Sequence, residues 1–199
     1  TCSRCYALKL QNLRPSVDKG WTNNLLKAEK LIADNPMLWA KQMKFQIERG
    51  CKKLGVYFHR WFDSGDLQSI EMLHAIVLTA QITPQIKHWL PTREAKIVKD
   101  YRKQYGLEPS NLVIRVSATM IGDKPITGHK NTSTVHRKGE TIHGKECLAY
   151  RTNKDFEVIA EKVFKNMTRD QKKIEDFGHC GNCRACWSND VENISYPLH

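Results

Sequence analysis

VYFHRWF (56–62), IKHWL (86–90) and LVIRVS (112–117) are three short β-rich runs, and each of the first two leads into a polar turn and an amphipathic stretch. After the first come Asp63-Ser64-Gly65-Asp66 and a helical pattern from Ser69 to about Ile82. After the second come Pro91-Thr92-Arg93-Glu94 and a helical pattern to about Tyr105. Successive strand starts fall 30 and 26 residues apart, the length of a strand, a crossover helix and two loops. This cadence predicts an α/β fold, either a partial (β/α) barrel or an open parallel sheet.

In such sheets polar ligands gather beyond the carboxyl ends of the strands, where loops and helix N-termini present hydrogen-bonding groups. Asp63, Ser64, Asp66, Arg93, Glu94 and Ser117 occupy that rim and are the candidate binding residues. Ser69 and Thr92 read as helix caps, because their hydroxyls accept from the free amides of a first turn. Two acids flanking Ser64-Gly65 exceed what a cap requires, so a site role is expected for at least one of Asp63 and Asp66.

Upstream, residues 1–55 read as two helices. Pro15 suits a first turn, Asn35-Pro36 interrupts and restarts the pattern, and Gly50 and Gly55 close the region. Downstream, residues 121–154 carry five glycines or prolines and read as a long loop with one short strand. Asp155 to Met167 follows as an amphipathic helix, and a Cys-rich block comes last. The whole, 1–199, is read as a single domain with a helical part (1–55), βα repeats (56–120) and a loop, helix and metal segment (121–199).

The 199 residues are 40% hydrophobic and 27% charged, enough for one sizeable core and too apolar for disorder. The longest apolar runs fall well short of the roughly 18–20 residues of a membrane span, and the first residues lack a signal-peptide layout. The expectation is a protein of the cytoplasm with no membrane partner. The net charge of +11 is uneven, since residues 1–55 hold 11 basic and 4 acidic side chains. That excess suits phosphates of a nucleic acid, and equally the solvated faces of Lys-rich helices.

Seven cysteines lie at 2, 5, 51, 147, 180, 183 and 186. Cys180-x2-Cys183-x2-Cys186 is the sharpest signal in the chain. Three thiolates at this interval, in a loop eased by Gly181, can wrap one compact centre, as in the triplet that binds three irons of a [4Fe-4S] cube while a distant cysteine binds the fourth. Cys147 is the fourth candidate. Structural zinc, with Cys147, two or three of the triplet, and His179 as a spare nitrogen, is the alternative. Cys2 and Cys5 form a half-site that serves the same cluster, a second one, or one completed by a ligand upstream of Thr1. Cys51 stands alone as an ordinary thiol.

The strings FDSGDLQS (62–69), HWLPTRE (88–94), IRVSA (114–118), CGNCRACW (180–187), ISYPLH (194–199) and CSRCYALK (2–9) resemble the gene-product-88-like protein family of bacteriophages. That resemblance covers nearly the whole chain and implies a phage protein. A weaker one is to radical S-adenosylmethionine enzymes, whose partial barrels carry a Cys-x3-Cys-x2-Cys loop. Cys2-x2-Cys5-Tyr6-Ala7 is similar to the end of that loop but lacks its first cysteine. This second resemblance implies S-adenosylmethionine as a further cofactor and the C-terminal cysteines as an auxiliary cluster. Two functional readings result. One is an iron-sulfur phage protein on a radical-SAM-like partial barrel; the other is a zinc-containing nucleic-acid-binding protein without catalysis, using aromatics such as Trp21, Trp39, Tyr57 and Trp61 among its basic residues.

Overall fold

The computed structural model describes residues 6–198. The chain forms two compact units, Thr1–Ser117 and Ala118–His199.

The first unit begins with three helices, α1 (Tyr6–Leu13), α2 (Pro15–Asp34) and α3 (Pro36–Leu54), where the sequence predicted two. Pro15 and Pro36 each open a helix, where a fixed φ helps and the missing N–H costs nothing. Asn35 separates α2 from α3. Its amide donates to Leu31 O at 2.8 Å, closing one helix, and its side chain accepts from Leu38 N at 2.9 Å, opening the next. Gly50 lies inside α3 and ends nothing. The stop is Gly55, whose φ of 64° is open to glycine at little cost.

Two βα steps and a third strand follow: β1 (Phe58–Arg60), α4 (Ile70–Gln81), β2 (Lys87–Thr92), α5 (Ala95–Tyr105) and β3 (Leu112–Ser117). The strands pair in parallel in the order β1-β2-β3, with His59 opposite His88 and Trp89 opposite Val113. The α/β class with parallel strands and N-terminal helices is therefore the one read from the 30- and 26-residue cadence. The strand expected over 56–62 is trimmed to three residues, and β2 runs on through Pro91 and Thr92. Helix α4 is buried along most of its length through Leu73, Ala75, Ile76 and Ala80 and packs against α3 and α5, and Leu90, Val113 and Ile114 of the sheet are buried as well. The Asn111 side-chain amide donates to Ala80 O, Thr83 O and Ile86 O at 2.9–3.1 Å, tying the α4–β2 turn to the start of β3.

The second unit holds β4 (Thr132–His136), β5 (Lys145–Glu146), α6 (Glu161–Asn166), α7 (Arg169–Glu175) and β6 (Asn193–Pro197). Here β6 lies between β4 and β5 and is parallel to both. Besides the apolar Ile194, its buried positions Asn193 and Ser195 are polar and bond to β4. Thr132 Oγ1 donates to Asn193 Oδ1 at 2.8 Å, Asn193 Nδ2 to Thr134 Oγ1 at 3.0 Å, and Thr134 Oγ1 to Ser195 Oγ at 3.1 Å.

The helix expected over 155–167 is shorter, reduced to Glu161–Asn166. Asn153 Oδ1 accepts from Asp155 N at 3.1 Å and Glu157 N at 2.8 Å, diverting amides that a helix would use. Phe156 turns to a φ of 65°, and Thr152 bridges to Val158. Helix α7, unforeseen in the sequence, starts on a capping box of Thr168 and Gln171. Among the described residues, no helix is long and apolar enough to cross a membrane.

Candidate metal centre

Cys147 follows directly on β5, and its amide donates to Ser195 O of β6 at 2.9 Å, so the sheet fixes its position. The triplet lies on a loop of tight turns. Cys183 N donates to Cys180 O at 3.0 Å, and Arg184 Nη1 donates to Gly181 O at 2.7 Å and Cys183 O at 2.8 Å. Gly181 has a φ of 51°, and a Cβ there would stand 3.2 Å from Phe156 Cβ, so the loop packs closely only because this residue is glycine. Cys186 sits in a one-turn 3₁₀ segment (Ala185–Trp187), its Sγ 3.4 Å from Tyr196 Oη of β6.

All four cysteines line one cavity of about 320 Å³. Its other walls are mainly apolar, including Leu148, Phe156, Val158 and Ile194. Burial pushes the Cys147 thiol up, and proximity to Cys180, Cys183 and Glu146 pushes it the same way against an opposing backbone amide at Ala149. The thiols thus feel one another across the cavity. Gathered thiolates repel, and a cationic centre among them removes that repulsion. Among the described residues no three His, Cys, Asp or Glu side chains gather closely enough for one metal ion.

The histidines stand apart. His179 Nε2 faces Asp176 Oδ2 at 3.4 Å, and His136 meets Ser195 Oγ at 2.7 Å through Nδ1 and Glu146 Oε1 at 3.7 Å through Nε2. His143 contributes its carbonyl, which accepts from Asn193 Nδ2 at 2.6 Å. Cys51 is buried on α3, its thiol pushed up by burial. Cys2 and Cys5 lie outside the described residues.

The strand-end candidates belong to the first unit. Asp66 Oδ1 accepts from Leu67 N at 2.7 Å and Thr92 Oγ1 at 2.5 Å, and Asp66 Oδ2 from Arg93 N at 2.8 Å. Asp66 therefore pins the loop after β1 to the loop after β2. Thr92 ends β2, and its hydroxyl accepts from Glu94 N at 3.0 Å, while Ser69 caps α4 by accepting from Met72 N at 3.1 Å. Asp63 and the side chains of Arg93 and Glu94 are exposed, and Ser117 is half-buried at the end of β3. Ser64 and Asp66 line a second cavity, of about 550 Å³, together with Trp21, Trp39, His59, Trp61 and Phe62. The sequence marked Trp21, Trp39 and Trp61 as aromatics interleaved with basic residues, but not as walls of one cavity, and it did not mark Phe62.

Two histidines lie beside Trp61, His59 half-buried and His88 buried. His88 Nε2 hydrogen-bonds Thr83 Oγ1 at 2.8 Å. Burial lowers His88 to about 3, with His59 adding repulsion, and lowers His59 to about 4, so both imidazoles are neutral near pH 7.

A protein-family model described as Gene product 88 matches residues 1–189. No curated protein and no solved structure matches the chain. The comparisons give no support to the resemblance to radical S-adenosylmethionine enzymes.

Proposed function

The chain belongs to the Gene product 88 family of phage proteins, and from that premise we propose that it is an iron-sulfur protein whose Cys147, Cys180, Cys183 and Cys186 hold a [4Fe-4S] cluster. The observation that carries this reading is the convergence of all four cysteines, one of them 33 residues before the other three, on one mainly apolar cavity.

The donor set fits the group. Four cysteine sulfurs complete a [4Fe-4S] cube, one per iron. A single tetrahedral zinc, with bonds of about 2.3 Å to sulfur, requires its ligands within about 4 Å of one another, whereas a four-iron cube holds its cysteines wider apart. When bound, such a cluster supplies a one-electron redox couple. The residues around it set its surroundings: Phe156, Val158 and the buried Ile194 present apolar surface, Tyr196 Oη stands beside Cys186, and Arg184 stiffens the triplet loop.

The test is anaerobic purification of the full chain, followed by iron, sulfide and zinc analysis and a visible spectrum. A brown protein with matching iron and sulfide, lost in Cys183→Ser, is the expected result. A colourless chain carrying one zinc, or one that stays metal-free after reconstitution with iron and sulfide, overturns it.

A further inference from the structure

The first unit contains a cavity that the cluster does not use. At about 550 Å³ it is the size of a small-molecule site, and it opens beside the carboxyl end of β1, between α2, α3 and α4. Its walls carry three indoles and a phenyl ring. Trp39 and Trp61 stack with centroids 6.1 Å apart and planes 21° apart, and His88 continues the stack behind Trp61 at 5.9 Å and 24°. Trp21 and Phe62 complete the aromatic lining.

The charged groups of this cavity are already engaged. Asp66 spends its two oxygens on three donors, and the Arg60 guanidinium lies 5.1 Å from the centre of the Trp89 ring. One cation and one carboxylate leave the lining without net charge, which suits a neutral ring better than a phosphate. Trp61 is only 4% exposed, and its Nε1–H has no acceptor among the described residues. A buried donor without an acceptor is costly, and a ligand ring nitrogen would satisfy it. The loop that frames the cavity is built rather than slack. Phe62 holds a φ of 51°, a conformation that costs an aromatic residue energy, and Asp66 fastens the loop to the end of β2. Exposed Lys19, Lys27, Lys30 and Lys41 on α2 and α3 favour a ligand that carries phosphate outside the cavity.

We propose that this cavity binds a nucleobase, stacked on its indoles and accepting a hydrogen bond from Trp61 Nε1. The base has two sources, a free nucleoside or nucleotide and a base of a single-stranded nucleic acid. Stacking on aromatic side chains serves either.

Calorimetric titration of the full chain with adenosine, with adenosine monophosphate and with a short oligodeoxyadenylate tests the proposal. Trp21→Ala removes a half-buried stacking wall, Trp61→Phe keeps the ring but deletes the donor, and circular dichroism checks that both variants fold. Saturable binding is expected, weakened about tenfold or more by Trp21→Ala and several-fold by Trp61→Phe. Equal affinity for the monomers and the oligonucleotide identifies a free nucleoside or nucleotide as the ligand. Much tighter, salt-sensitive binding of the oligonucleotide identifies a strand. No saturable binding of any probe, or unchanged affinity in either folded variant, overturns the proposal.

Discussion

Asp66 illustrates how one side chain joins two loops. Its carboxylate takes the Leu67 amide, the Thr92 hydroxyl and the Arg93 amide, so the turn after β1 and the turn after β2 hold each other in place. Asp66→Ala leaves those donors short of an acceptor and is expected to lower stability by about 2 kcal/mol, read as a shift of the urea midpoint without a change of slope. His59 and His88 make a second prediction at this scale. Both titrate near 6.5 in an unfolded chain and lower when folded, at about 4 and about 3. Between about pH 6.5 and those folded values the unfolded chain binds more protons, so stability rises with pH and falls on acidification. Lowering the pH from 7 to 5 is expected to cost about 2 kcal/mol, with half-buried His59 giving the smaller share. His88→Gln is expected to flatten the pH dependence, and urea titrations across this range measure it.

Among the elements, β6 depends on close backbone approach. Gly144, with a φ of 70°, sits where a Cβ would lie 2.5 Å from Asn193 O, the first residue of β6. Gly144→Ala is expected to displace the β5–β6 pairing and lower the unfolding temperature, at a cost of about 2–4 kcal/mol. The same strand explains where sequence reading stopped. The runs at 58–60, 87–92 and 112–117 were legible because they pair apolar or aromatic stretches with turns at a regular interval. Strands β4 and β6 carried no such mark. Most of their buried positions are polar, and Thr132, Thr134, Asn193 and Ser195 satisfy one another by hydrogen bonds, which hides the strands from a search for apolar alternation. The helix over 155–167 erred in the opposite sense. Its apolar spacing was real, but Asn153 offered the first amides a competing turn. Spacing singled out Cys180, Cys183 and Cys186, with Cys147 as the nearest further cysteine, and the four line one cavity, whereas the Trp21, Trp39 and Trp61 cavity needed three distant segments brought together.

At the scale of the whole molecule, the two chemically distinct sites lie in different units, thiols in Ala118–His199 and indoles in Thr1–Ser117. The net charge of +11 is largest in the helices of the first unit, which is where a phosphate-bearing ligand would be drawn. A cluster that ties Cys147 beside β5 to the loop at 180–186 closes a long chain segment, so its loss is expected to loosen the second unit. Hydrogen exchange after removal of the metal checks this, with faster exchange expected across β4, β5 and β6. Whether the four cysteines carry an iron-sulfur cube is read from X-ray absorption at the iron edge of anaerobically prepared protein. The expected spectrum has an iron shell of sulfur neighbours with an iron–iron path, both absent from Cys183→Ser; a lone zinc, or iron without sulfur and iron neighbours, overturns the assignment.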